Sequence, residues 1–179
     1  MKHDWMVNDK VINHVGEIID RCAQPLKLEV MSIVLYGARA KGNHSSQSSY
    51  DILILLSDNT CLKTYIKFIE TIRLELLKEK LFNVKIICYT PETFEEILYN
   101  DNMAGAFLYM ICRENIILLD KKGTFALIKE RLASGALKDE EIFMKQCIEF
   151  CRIFGSEKWE RKWEKILMQY KYLKNRREP

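Results

Sequence analysis

Two long segments in the first half of the chain place apolar residues every three to four positions. The first predicts an amphipathic helix over about Asn8 to Gln24, with Asn8 as a candidate cap and a stop before Pro25. The second, an apolar stripe from Leu62 to Leu77, predicts a longer helix that ends near Leu81. Each of these helices therefore has one apolar face to bury.

Short apolar runs before, between and after these helices predict the strands of a sheet. Leu28 to Tyr36 is the first, Asn83 to Tyr89 the third, and Ile116 to Leu119 a short strand or extended run. The second strand, Tyr50 to Leu56, is almost continuously apolar, which indicates burial on both of its faces and a place inside the sheet. The alternation of strands and helices predicts an α/β (α+β) domain.

The second half of the chain is predicted to be mostly helical. Thr90 and Pro91 form a helix start, as cap and first helical residue. Further helices are predicted at about Asn102 to Glu114, Phe125 to Ala133, Glu140 to Phe154 and Lys158 to Lys174. The composition changes near Gly123, which predicts an α/β domain over residues 1–122 and a helical C-terminal extension over residues 123–179. We expect the apolar stripe of the last helix, which contains Trp159 and Trp163, to pack on the α/β domain or on a second copy.

Composition limits the classes of function. With 179 residues and 48% hydrophobic residues, the chain can form one compact domain or a domain with an extension. The net charge of +3 is only mildly basic, so a nucleic-acid partner is not indicated. No apolar run is long enough to cross a bilayer. The six cysteines form no Cys-x-x-Cys pair, and we expect reduced, buried thiols in a cytoplasmic protein.

The glycine turn after the first strand is the candidate phosphate site. Gly37 lets the backbone leave the strand sharply, so that the amides of Ala38 and Arg39 can point at a phosphate. Arg39 and Lys41 add positive charge. A tight connection between a strand and a helix would use the same residues without any ligand, so the turn alone does not decide between the two.

The residues after the turn make the pattern specific. Gly37 and Ala38 are followed by ten residues and then by Ser49, Tyr50 and Asp51. This spacing resembles the minimal nucleotidyltransferases (MNT-like) of the DNA polymerase beta superfamily, whose signature is Gly-Ser, ten residues, then Asp-any-Asp opening a strand. The resemblance covers roughly residues 8–122 and implies the nucleotidyltransferase fold, a small mixed β-sheet flanked by helices.

The resemblance also implies a metal site, and this sequence departs from it. In the family three acids hold two Mg²⁺ ions that act on the triphosphate. Asp51 keeps a metal-ligand position, whereas Ser49 and Lys85 stand at degenerate acid positions and Ala38 replaces the serine. A lysine at an acid position would repel a divalent ion by about 4 kcal/mol per unit charge at 4 Å in a dielectric of 20. We therefore expect Mg²⁺ to be doubtful as a cofactor and two-metal catalysis to be impaired.

Three arrangements of Lys85 and the missing acid stay open from the sequence. Lys85 forms an ion pair with Asp51 across adjacent strands, or it extends into solvent at the end of its strand. In the third arrangement another acid, Glu92 or Glu95, approaches the site. His44, in the loop between turn and strand, contacts a nucleotide or is a solvated bystander.

Two functions are compatible with these residues. The first is transfer of a nucleoside monophosphate from ATP or another nucleoside triphosphate to a protein, RNA or small-molecule acceptor. Gly37, Ala38, Arg39 and Lys41 would then bind the nucleotide and Asp51 the metal. The alternative is a non-catalytic nucleotide-binding or scaffold protein, a pseudoenzyme. The resemblance implies a protein partner of the HEPN ribonuclease type in a toxin–antitoxin complex. The apolar stripe of the last helix leaves a homo-oligomer formed through the C-terminal helices as the alternative.

Overall fold

A computed structural model describes residues 9–42, 44–100, 102–134, 140–153, 155 and 157–175. The chain divides into two compact units. The first unit runs to Glu92 and resumes from Glu114 to Phe125. The second consists of Thr93–Arg113 and the chain from Ala126 onward.

The first unit is built on a four-stranded mixed sheet, which confirms the predicted fold class. Its strands are β1 (Val30–Tyr36), β2 (Tyr50–Leu56), β3 (Val84–Tyr89) and β4 (Asn115–Asp120). Their order across the sheet is β3-β2-β1-β4, with β2 and β3 parallel and the other two pairs antiparallel. β2 lies inside the sheet, as its apolar run predicts, and Ile52 to Leu56 are fully buried.

Helices α1 (Lys10–Ala23), α2 (Gly37–Ala40) and α3 (Leu62–Lys78) complete this unit. Asp9 caps α1 by accepting hydrogen bonds from the amides of Val11 and Ile12 at 2.9 and 3.2 Å. The predicted cap, Asn8, lies outside the described residues. The core between the helices and one face of the sheet consists of aliphatic and aromatic side chains, among them Val15, Ile19, Ile33, Leu35, Ile52, Ile54, Phe68 and Ile72.

The second unit is helical, and its helices surround an aromatic cluster. α4 (Pro91–Leu98) and α6 (Thr124–Ala133) begin at its borders, and α5 (Met103–Arg113), α7 (Glu140–Ile153) and α8 (Glu157–Asn175) lie within it. Tyr109 of α5, Phe143 of α7 and Trp163 of α8 have ring centroids 5.0 to 5.8 Å apart, and all three are fully buried.

This cluster explains two differences from the sequence predictions. The division puts Thr93–Arg113 with the C-terminal helices, whereas the predicted boundary follows residue 122. Tyr109 belongs to that segment and packs on Trp163 at 5.6 Å, so the apolar stripe of α8 is covered from within the second unit. None of the helices in the described ranges is long and apolar enough to cross a membrane.

None of the six cysteines, all of which lie in the described ranges, forms a disulfide, and five of them are buried. Cys61 is the exception to the predicted burial. It is exposed at the N-cap position of α3, and its Sγ lies 3.1 Å from Oγ1 of Thr64. Its position in a polar connection, ahead of the apolar stripe of α3, leaves it no core to enter.

Candidate functional site

The Gly37 turn and the acid of β2 are in direct contact. Gly37 opens α2 with φ of +76°, a backbone conformation that favours glycine. The β1–β2 register places Tyr36 opposite Asp51. A Cβ on Gly37 would lie only 2.6 Å from Oδ2 of Asp51. The carboxylate thus lies against the backbone of the turn, and the absence of a side chain at Gly37 makes room for it.

The two degenerate acid positions flank Asp51. The hydroxyl of Ser49 donates a hydrogen bond to Oδ1 of Asp51 at 2.9 Å. On the other side, the parallel register of β2 and β3 places Lys85 directly opposite Asp51. Residues opposite each other in a parallel pair project from the same face of the sheet, with their strands about 4.8 Å apart. The structure therefore brings Ser49 and Asp51 together beside Gly37, with Lys85 on the neighbouring strand.

Lys85 does not form the ion pair that the sequence suggested. Its side chain is exposed, and none of the ion pairs between described residues joins it to Asp51. Of the arrangements left open, this favours an ammonium group that extends into solvent from its strand. The sheet register places the backbone of Lys85 beside that of Asp51, and the exposed side chain is accessible to a ligand.

Arg39 holds the loop that leads to β2. Its side chain is only 6% exposed, and Nε and Nη2 both donate to the carbonyl oxygen of Ser48, at 3.1 and 2.9 Å. The guanidinium also lies 3.7 Å from the centre of the Tyr50 ring. Contact between Arg39 and a phosphate stays a prediction, and it would use the N–H groups that do not donate to Ser48.

A further contact connects the Arg39 clamp, formed by Arg39, the Ser48 carbonyl and the Tyr50 ring, to the first helix. The hydroxyl of Tyr50 donates to Oδ2 of Asp9 at 3.0 Å, and Asp9 is the residue that caps α1. Burial, followed by this hydrogen bond and the charge of Asp9, raises the pKa of Tyr50. The phenol therefore stays protonated and can donate at neutral pH. Arg39, Tyr50 and Asp9 together fix the start of β2, immediately before Asp51.

The other nucleotide-binding candidates lie at the same turn. Lys41 forms an ion pair with Glu114, and both side chains are partly exposed. Its positive charge is therefore partly neutralised by a carboxylate of the same unit. Ala38 lies in the first turn of α2 and is partly exposed, and it has no hydroxyl to offer a ligand. No side chain caps α2 at its N-cap residue, Tyr36.

Tyr36 is a residue of the site that sequence reasoning missed. Its side chain is buried, and its pKa is raised, mainly by burial and then by the charge of Asp51 and by Tyr89. The only signal in the sequence was its place immediately before Gly37. A neutral phenol beside Asp51 adds polar character to the site without adding charge.

The acids considered as substitutes make other contacts. The backbone amide of Glu92 donates to Oδ1 of Asp58 at 3.1 Å, and the side chain of Glu92 is exposed. Oε1 of Glu95 accepts a hydrogen bond from Nε of Arg131 at 2.8 Å within the second unit. His44 is exposed in its loop. Within the described ranges, no three His, Cys, Asp or Glu side chains gather into a group that could hold a metal ion.

Comparisons with known proteins give one strong match. Residues 15–115 match the family model described as "Nucleotidyltransferase domain". A toxin–antitoxin crystal structure with AMP-PNP is similar at 12% identity and a TM-score of 0.40, over 66% of this chain and 83% of that chain. A second toxin–antitoxin structure, of a mutant MntA–HpeT, gives 12% identity and 0.40 over 67% of this chain and 84% of that one. Neither similarity assigns a ligand or partner to this chain. No curated protein matches the sequence.

Proposed function

This chain belongs to the nucleotidyltransferase domain family, and we propose that it binds a nucleoside triphosphate at the Gly37 turn while nucleotidyl transfer is impaired. The observation that carries the proposal is the surroundings of Asp51. Its carboxylate lies against Gly37 and accepts a hydrogen bond from Ser49, and Lys85 stands opposite it on β3.

These residues do not fit the pair of divalent ions that the family implies. Mg²⁺ takes hard oxygen ligands, and a two-metal centre needs several carboxylates to hold and neutralise two ions. Asp51 contributes one carboxylate and Ser49 a weaker, neutral oxygen. Lys85 adds a positive charge, which disfavours a metal ion at short range. The chemistry of the donor set therefore supports binding of nucleotide without efficient turnover.

The geometry of the turn supports nucleotide as the ligand class. The side chain of the N-cap residue, Tyr36, accepts no hydrogen bond from the amides at the start of α2. Asp51 lies on β2, the strand next to the turn, and Lys85 lies opposite it on β3. A phosphate group at this place would meet backbone donors and one accessible ammonium group.

Family membership favours a second candidate, a working nucleotidyltransferase that uses Asp51 as its metal ligand. The two candidates differ in what the protein does to ATP in the presence of Mg²⁺. An active enzyme releases pyrophosphate and transfers AMP to an acceptor. A non-catalytic protein retains intact ATP.

We also propose that the non-catalytic role is carried out in a protein complex. The resemblance to minimal nucleotidyltransferases supports a partner of the HEPN type, as in toxin–antitoxin pairs. Self-association through the helices of the second unit is the alternative. Light scattering of the purified chain, alone and mixed with the product of the adjacent gene, tests this. The absence, in both samples, of any species heavier than the separate monomers would contradict it.

The test of the main proposal is release of pyrophosphate from each of the four nucleoside triphosphates with Mg²⁺. We expect the wild-type chain and Asp51→Asn to give the same background rate. Circular dichroism of both proteins shows that the fold persists. Pyrophosphate release by the wild type that Asp51→Asn abolishes would establish catalysis and overturn the proposal.

A further inference from the structure

We propose that Lys85 contacts a phosphate group of the bound nucleotide directly, so that binding does not require a divalent metal. The inference rests on the proposed binding of nucleotide at the Gly37 turn. It adds that Lys85 is the residue that contacts the phosphate and that no metal ion is required. Its basis is that the oxygen donors of Asp51 and Ser49 do not suit a pair of divalent metal ions. Where the carboxylates needed for metals are missing, an ammonium group on the neighbouring strand is present.

The reach of Lys85 follows from the sheet. Lys85 lies opposite Asp51 in the parallel register, and Tyr36, which precedes Gly37, lies opposite Asp51 on the other side. The turn and Lys85 are thus separated by a single strand, or about 10 Å across two strand spacings. A lysine side chain is about 6 Å long, so its ammonium group can reach past Asp51 and leaves a gap of about 4 Å to the turn, which a phosphate group held at the turn would bridge.

The charges at the site balance without a metal. Asp51 and Lys85 bring one charge of each sign, and Lys41 is balanced by Glu114. Arg39 adds a buried positive charge beside Tyr50, and the Tyr50 hydroxyl donates to the carboxylate of Asp9. An incoming phosphate therefore meets no excess of negative charge that divalent ions would have to neutralise.

Lys85 is available for this contact. It is exposed, and among the residues that the structure describes it takes part in none of the ion pairs. Asp51 has one oxygen bonded to Ser49 and the other against Gly37, which keeps the carboxylate oriented toward the turn. An ammonium group without a fixed partner can reorganise around a phosphate at little cost.

The test is isothermal titration of ATP into the full chain, once with Mg²⁺ and once with EDTA. We expect dissociation constants that agree within about twofold in the two buffers. Lys85→Met should weaken binding at least tenfold in EDTA, and Lys85→Arg should retain most of it. Lys67→Met is the matched control, because Lys67 is also exposed in the first unit, on α3, and it should bind as the wild type does.

Asp51→Asn should change the affinity for ATP in opposite directions according to whether a metal ion joins Asp51 to the phosphates. If no metal joins Asp51, removal of its negative charge leaves ATP binding unchanged or tightens it. If a metal connects Asp51 to the phosphates, the same substitution weakens binding. ATP binding that appears only with Mg²⁺, or that Lys85→Met leaves unchanged, would overturn the inference and leave nucleotide binding in place. Absence of ATP binding in both buffers would overturn the proposed function as well.

Discussion

The carboxylate of Asp51 occupies the space that a side chain at Gly37 would need, with Oδ2 2.6 Å from the position of a Cβ. The turn and the acid are thus mutually dependent, since the turn can carry no side chain while the carboxylate stays where it is. Gly37 also has φ of +76°, so backbone strain and the displacement of the carboxylate both disfavour other residues there.

Gly37→Ala should therefore destabilise the protein by more than backbone strain alone. Gly42 provides a matched control, because its φ of +73° is nearly the same but nothing lies within 4 Å of a Cβ there. An alanine in the left-handed region costs about 1–2 kcal/mol. In urea titrations we expect Gly42→Ala to lose about that much and Gly37→Ala to lose more. Equal losses would contradict the contact between Asp51 and Gly37.

Arg39 should contribute to folding in the absence of any ligand. Arg39→Met removes two hydrogen bonds to Ser48 and the contact with Tyr50, and leaves a carbonyl group without its donors. We expect a loss of about 2 kcal/mol or more in the free energy of unfolding. Arg39→Lys keeps the charge but not the paired donors, so it should retain only part of the stability that Arg39→Met loses.

Arg21 is the control for this prediction. It is half-exposed and bonds to Glu75 and Glu79 at 3.2 and 3.4 Å, so Arg21→Met should cost about 0.5 kcal/mol or less. Urea titration of the four proteins without nucleotide measures all of these values. If Arg39→Met were as stable as Arg21→Met, the clamp would have no structural role, and the predicted role of Arg39 in phosphate binding would gain support.

Cys61 should react with iodoacetamide before any other thiol of the folded protein. The hydrogen bond from the Thr64 side chain, followed by backbone bonds in the first turn of α3, lowers the pKa of Cys61. The other five thiols are buried, and burial raises the pKa of Cys88 and Cys112 to about 12. Mass spectrometry at pH 7.5 should show one adduct, absent from Cys61→Ser.

Thr64→Val tests the cause of this reactivity. Removing the hydroxyl should move the midpoint of the alkylation rate against pH upward, because the thiolate loses its main stabilising partner. A midpoint that does not move would assign the reactivity to exposure alone. Several adducts per folded molecule would contradict the burial of the other cysteines.

Substitution by alanine should change the stability of the protein in opposite directions at two helical glycines, Gly105 and Gly16. A Cβ on Gly105 would lie 2.1 Å from the backbone oxygen of Asn100 and 2.8 Å from that of Ile97. Gly105→Ala should therefore destabilise the second unit by about 1–3 kcal/mol. Gly16 of α1 has nothing within 4 Å of a Cβ, so Gly16→Ala should stabilise by about 0.5–1 kcal/mol. Thermal unfolding of each variant gives the sign directly, and the same sign for both would contradict these surroundings.

The sequence was most informative where local chemistry decides the structure. The apolar run of β2 predicted a buried strand, and the spacing from Gly37 to Asp51 led to the fold class that the structure confirms. Lys85, which the resemblance puts at an acid position, lies opposite Asp51 in the sheet. Periodicity and motif spacing carry this information because strands and tight turns leave few alternatives.

Contacts between distant segments were not accessible in the same way. The pairing of Arg39 with the Ser48 carbonyl depends on how a ten-residue loop closes, and a charge near a glycine turn gives no sign of it. The grouping of Thr93–Arg113 with the last helices depends on Tyr109 meeting Phe143 and Trp163, far along the chain. Such packing is set by the whole core, and apolar periodicity alone does not choose the partner.

The most direct test of the central claim is whether any divalent ion joins Asp51 in the nucleotide complex. Electron paramagnetic resonance can count Mn²⁺ bound to the protein saturated with ATP, for the wild type and for Asp51→Asn. Since Ser49 and Lys85 flank the single carboxylate, we predict superimposable titrations, with only the Mn²⁺ that ATP itself binds. Additional Mn²⁺ in the wild type that Asp51→Asn loses would contradict the account.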